Sequence, residues 1–199
     1  IHAATGGVGL AAVQVAQRAG AEIFATAGSP EKQAYLRSLG VAHVFGSRTL
    51  DFTDQIRAAT GGAGVHVVLN SLTGEFIPRS FEALTEGGRF VEIGKAGIWT
   101  SERAAAARPD VVYHTLYLGD LPSEELGTLL RQVVADVDRG HLSSLPHRAF
   151  AAERVVDAFR YMAQARHIGK VVVLQDAPAR EPGPVRPEAS YLITGGTGG

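Results

Sequence analysis

Apolar residues along this chain switch repeatedly between the two-residue period of a strand and the 3.6-residue period of a helix. Residues 1–3 read as the tail of a strand. Residues 8–18 then place Val8, Ala12, Val15, Ala16 and Ala19 on one helical face, and Gly20 closes the helix. Residues 22–27 form a second strand. Ser29, Pro30 and Glu31 follow as the cap and first turn of a helix that ends at Gly40. A short strand at 43–45 and a helix at 53–60 come next. The continuous apolar run at 65–70 predicts a buried strand. A helix through residues 81–84 ends at Gly87 and Gly88, with strands at 89–93 and 111–118 behind it. Ser123, Glu124 and Glu125 cap a helix that carries Leu126, Leu129, Leu130, Val133 and Val137 in register. A last helix at 155–162 precedes a strand at 170–174.

Strands alternating with helices form right-handed βαβ units, so the fold class is α/β: a doubly wound parallel sheet of the Rossmann type over residues 1–174. Residues 175–189 differ in composition. Pro178, Pro182, Pro184 and Pro187 fall there, which predicts an extended linker. Residues 190–199 hold one strand and one glycine turn, the truncated start of a second unit.

That second turn, Thr194-Gly195-Gly196-Thr197-Gly198-Gly199, echoes the first, Thr5-Gly6-Gly7-Val8-Gly9. A strand, clustered glycines and a helix start together suit a pyrophosphate. The backbone can approach closely, and the helix N-terminus offers free N–H groups and positive dipole potential. Two such turns predict an excerpt from a larger protein, and position 1 is not Met. A site selective for NAD usually places an acid at the end of the second strand. Here the end of the strand reads Thr26-Ala27-Gly28-Ser29, with Lys32 one helical turn further on, and Ser29 and Lys32 can both donate to a 2′-phosphate. The expected cofactor is NADPH. Asn70, Ser71 and Leu72 end the fourth strand and Gly94 and Lys95 the fifth, where a parallel sheet presents its ligand.

Composition narrows the chemistry. The 199 residues are 45% hydrophobic and 20% charged, with a net charge of −1 and no basic block, which gives no footing for nucleic acid or an anionic membrane. No apolar run reaches the roughly 20 residues of a membrane span. A cytoplasmic location is expected. There is no cysteine, hence no disulfide or thiol nucleophile. The seven histidines are scattered without metal-binding spacing and read as surface or strand-end residues. Trp99 reads as packing on the sheet.

Four segments in order carry a resemblance: residues 2–9, 67–72 (VVLNSL), 88–95 (GRFVEIGK) and 159–172 (FRYMAQARHIGKVV). Together they resemble the enoyl reductase domain of type I modular polyketide synthases, in the zinc-free branch of the medium-chain dehydrogenase/reductase superfamily. The last ten residues resemble the start of the ketoreductase that follows it. The resemblance implies NADPH-dependent reduction of a trans-2-enoyl thioester held on an acyl carrier protein, with neighbouring synthase domains in cis and a homodimeric parent. It implies a catalytic donor role for Lys95 and adds Lys170 to the cofactor set. Many such domains carry an Asp where this chain has Tyr117, so Asp120 is the candidate acid. The family's N-terminal substrate lobe is absent, which predicts that the isolated chain does not turn over. A free-standing NADPH:quinone oxidoreductase and a non-catalytic reductase-like scaffold are the competing readings.

Overall fold

The computed structural model describes residues 1–175, and the expected linker and second glycine turn lie outside them, apart from Gln175. The described chain forms two compact units. One comprises residues 1–147 with 167–170, and the other residues 148–166 with 171–175.

The first unit runs α1 (Gly7–Arg18), β1 (Phe24–Ala27), α2 (Pro30–Ser38), β2 (His43–Gly46), α3 (Phe52–Ala59), β3 (Val65–Asn70), α4 (Phe76–Glu82), β4 (Leu84–Glu92), α5 (Ser101–Ala107), β5 (Val112–Thr115) and α6 (Ser123–Asp138). β1 pairs with β2, and β3, β4 and β5 form a parallel set. Residues 1–4 join the two. Thr26 N–H donates to Ile1 O and Ala4 N–H to Thr26 O on one side, and His2 N–H donates to Leu69 O on the other, all at 3.0–3.1 Å. The spatial order is therefore β2, β1, residues 1–4, β3, β4, β5, with the direction of winding reversing at residues 1–4. This is the doubly wound parallel fold that the alternation predicts. Residues 1–3 do not form a regular strand, because Ala3 sits at φ 47° and breaks the ladder.

Several elements differ from the sequence reading. The buried face of α1 is Gly9, Leu10 and Val13, while Val8 and Val15 are 56% and 58% exposed. Leu10 and Val13 pack with Ala25, Leu36 and Val44, so the face touching the sheet is a third of a turn from the expected one. β3 buries Val68 and Asn70 but leaves Val67 half exposed, so it is not buried throughout. The helix expected through Leu84 ends at Glu82. Leu84 is instead the first residue of β4, pulled into the core beside Ile77 and Phe90. β5 stops at Thr115, where Leu116 N–H makes the last bond to Glu92 O at 2.8 Å. Leu129, Leu130, Val133 and Val137 on α6 face outward; the residue that α6 buries is Asp136, paired with Arg18 at 2.7 Å. α5 has no apolar period to announce it in the sequence, although Thr100 accepts from Arg103 N–H as a regular N-cap.

The second unit contains most of β6 (His147–Ala151) and β7 (Lys170–Leu174), paired with each other, and α7 (Val155–Ala163). Phe150 packs on Tyr161, and the Arg148 guanidinium lies over both rings. β6 shows no strand period in the sequence, since its pattern HRAFA buries only Phe150.

Candidate functional site

The glycine turn is built by close approach. Gly6 caps α1 without a side chain, leaving the N–H groups of the first helical turn pointing outward. At Gly9 a Cβ would lie 2.6 Å from Ala3 O and Ala4 Cα, so only glycine lets the helix start against residues 3–4. At Gly7 the space of a Cβ is taken by the end of the Lys170 side chain. Lys170 is brought there by Gly169, which has φ +72° and bridges to Gly6. Its N–H donates to Thr5 O at 2.8 Å. A Cβ on Gly169 would collide with Pro146 O. Thr5 is buried beneath the turn. An ammonium and a row of helix N–H groups thus converge on one concave stretch of backbone, which is the donor set a pyrophosphate requires.

A second cationic group lies at the tips of β1 and β2. Ser29 Oγ caps α2 by accepting from Lys32 N–H at 3.4 Å. Lys32 is half-buried, and its ammonium is held below the usual lysine range by burial first and the nearby Arg48 charge second. His167 is lowered by burial and then by Lys32. Arg48 Nε lies 3.7 Å from where a Cβ of Gly28 would stand. Arg48 escaped the sequence reading because it follows the third strand. Its signal was the Ser47-Arg48 pair at that strand's carboxyl end. Thr26 is buried, with its hydroxyl turned to His2 at 3.1 Å, so it supports this corner from below.

His2 is buried, not a surface residue. Its Nε2 contacts Ser80 Oγ at 2.8 Å, and Ser80 spends its own proton on Phe76 O at 2.6 Å. Nε2 is therefore the donor, and Nδ1 accepts from the Thr26 hydroxyl. Burial pushes the imidazole down to about 3.

The third cluster sits at the ends of β3, β4 and β5. Glu92 is fully buried. Its Oε1 accepts from Gly94 N–H and its Oε2 from Asn70 Nδ2, both at 2.7 Å. Asn70 Nδ2 also donates to Leu72 O at 2.8 Å, and Asn70 Oδ1 accepts from Leu72 N–H at 3.2 Å. Asn70 is thus committed internally and shapes the turn bearing Ser71 and Leu72, while Glu92 fastens that turn to Gly94-Lys95. Sequence reasoning passed over Glu92 because it lies in the apolar run Phe90-Val91-Glu92-Ile93; a lone acid in such a run was the available signal. Burial, with Glu92's charge second, raises the Tyr113 phenol. Trp99 packs on Phe81 at 5.1 Å, as its sequence context predicts.

A cavity of about 340 Å³ opens beside this cluster, lined by Glu92, Gly94, Lys95, Ile98, Thr115, Leu116 and Tyr117. Lys95 Nζ lies 4.6 Å from the centroid of the Tyr117 ring. Asp120 is exposed in the short turn Leu118–Asp120 and is not on the cavity wall. The structure therefore pairs Lys95 with Tyr117, and not with the expected acid.

Residues 7–118 match the zinc-binding dehydrogenase family. The whole chain is similar, at 47% identity over 200 residues, to the pikromycin polyketide synthase component PikAII of Streptomyces venezuelae, of which it spans 5%. Among solved structures it resembles the CurK enoyl reductase, with 52% identity and a TM-score of 0.83 over 87% of this chain and 53% of that one. The nucleotide-binding subdomain of the enoyl reductase domain of PpsC from Mycobacterium tuberculosis matches at 41% identity and a TM-score of 0.65, over 73% of this chain and 84% of that one. The family's name implies a metal, but the residues do not fit one. The chain has no cysteine, and the described residues hold no group of three or more His, Asp or Glu able to bind an ion. The glycine cradle with Lys170 fits a dinucleotide. By both sequence and fold, the chain belongs to the zinc-binding dehydrogenase family and, within it, to the enoyl reductase domains of polyketide synthases.

Proposed function

We propose that this chain is the cofactor-binding part of an enoyl reductase that uses NADPH to reduce the double bond of a trans-2-enoyl thioester carried on an acyl carrier protein. The observation that carries this reading is the run of donors along one edge of the sheet. Lys170 and the first turn of α1 would hold the pyrophosphate, and Ser29, Lys32 and Arg48 the 2′-phosphate. Leu72 and Gly94, on turns fixed by Asn70 and Glu92, would flank the nicotinamide. When bound there, NADPH would supply the hydride for the β-carbon of the substrate. Lys95 Nζ then donates a hydrogen bond to the thioester oxygen, where negative charge accumulates, and the α-carbon is left to take a proton. Asp120 remains a candidate source of that proton.

In the parent synthase, residues 175–189 would link this domain to a ketoreductase beginning at residue 190, and the assembly would work as a homodimer in the cytoplasm. No helix among the described residues is long and apolar enough to cross a membrane. Titration of the parent enzyme with NADPH and NADH tests the cofactor assignment. Tighter NADPH binding that depends on Lys32 and Arg48 supports it; equal affinities would overturn it.

A further inference from the structure

We infer that Tyr117 is a positioning residue that holds the Lys95 ammonium over the cavity through its ring face, in place of a carboxylate. The inference deepens the reductase reading and rests on it for its catalytic meaning. Three observations carry it. The Lys95 Nζ lies 4.6 Å from the ring centroid, within the range where a cation is drawn to an aromatic face. Both residues line the same 340 Å³ cavity, each at the end of a neighbouring strand. The ring is also seated by design of the backbone: a Cβ on Gly119 would lie 2.5 Å from the ring, so the glycine gives it room to fold back over the turn Leu118–Asp120.

The chemistry of this arrangement differs from that of an ion pair. A carboxylate would attract the ammonium strongly and take up one of its three protons. A ring face attracts the cation through its quadrupole and leaves the N–H donors available to a substrate oxygen. Tyr117 is 52% exposed in the described chain, so the attraction grows only when substrate and the rest of the enzyme exclude water from the cavity. Holding the ammonium within a fraction of an ångström of its working place matters to turnover, and less to cofactor affinity, whose charged contacts are assigned to the glycine turn with Lys170 and to Ser29, Lys32 and Arg48.

The experiment uses the intact enoyl reductase containing this chain, with NADPH and a crotonyl thioester. Tyr117→Leu and Gly119→Ala should each lower kcat on the order of 10-fold, with the NADPH dissociation constant unchanged within about twofold. Tyr117→Phe keeps the ring face, and Tyr117→Asp supplies an alternative attraction for the cation. Both should recover most of the kcat lost in Tyr117→Leu. A residue needed only for packing would behave in the opposite order, with Asp the worst. The geometry has its own readout in the NMR signal of ¹³C-dimethylated Lys95. Its ring-current shift should persist in Tyr117→Phe and vanish in Tyr117→Leu. Full kcat in Tyr117→Leu, failure of both rescues, or absence of the ring-current shift would overturn the inference. If the wild type shows the shift and binds NADPH but reduces no enoyl thioester, the reductase reading has failed and the Lys95–Tyr117 pairing stands.

Discussion

Replacing Glu92 by Gln should destabilise the protein by about 3 kcal/mol, although the two side chains are nearly isosteric. The carboxylate accepts two N–H groups at 2.7 Å, from Gly94 and from Asn70 Nδ2. A glutamine has one oxygen to offer, so in either orientation its NH₂ faces another donor. Asn70 cannot turn to relieve the conflict, because its Nδ2 and Oδ1 are both held by Leu72. The loss comprises one hydrogen bond to a charged group, about 1.5–3 kcal/mol, and one buried donor left without an acceptor, about 1–3 kcal/mol. Removing the buried charge offsets part of that sum. Urea unfolding of wild type and variant measures it: with a slope of about 2 kcal/mol/M, the midpoint should fall by roughly 1.5 M. The Tyr113 phenol should also titrate lower, since one of the two causes raising it is gone. A midpoint within about 0.2 M of wild type would refute the bracket role assigned to Glu92.

Three further outcomes follow from the same structure. Gly7→Ala meets only the far end of Lys170 and should fold normally while weakening the cofactor. Gly9→Ala meets backbone and should cost roughly 1–3 kcal/mol in thermal unfolding, and the reverse order would refute the cradle. Lys32→Ala or Arg48→Ala should weaken NADPH on the order of 10- to 100-fold, with little change for NADH, as read by fluorescence titration. Because the buried His2 stays neutral down to about 3 while the unfolded chain takes a proton near 6.5, the unfolded state binds more protons in that window. Stability is therefore whole above pH 6.5 and falls as pH drops below it, by at most about 1.4 kcal/mol per unit. A His2→Asn variant should flatten that slope in pH-dependent melting curves, and an unchanged slope would remove His2 as its source.

The parts of the fold that the sequence displays are those where period, cap and turn agree. α2 has Ser29, Pro30 and Gly40 at the places a helix needs them, and it forms where expected. β3 and β7 occupy the predicted residues. Which face each element buries was harder to see. α1 is apolar around much of its circumference, so the choice of Leu10 and Val13 over Val8 and Val15 is made by the sheet it lies on. α6 is anchored by an ion pair, which an apolar period does not show. Glycines at the turn were legible because their chemistry is local. Arg48, the Glu92–Asn70 bond and the Lys95–Tyr117 contact were not, since each joins residues 16 or more positions apart in the chain.

The proposal to be tested is that this sheet edge serves NADPH-dependent reduction of an enoyl thioester. The most direct measurement follows absorbance at 340 nm while the intact parent enzyme meets a crotonyl thioester, with NADPH or NADH as the reductant and a quinone as competing acceptor. The expected result is steady oxidation of NADPH, saturated product with hydrogen added across the α- and β-carbons, and much slower turnover with NADH. Oxidation of NADPH by the quinone alone, or no oxidation by either acceptor, would contradict it.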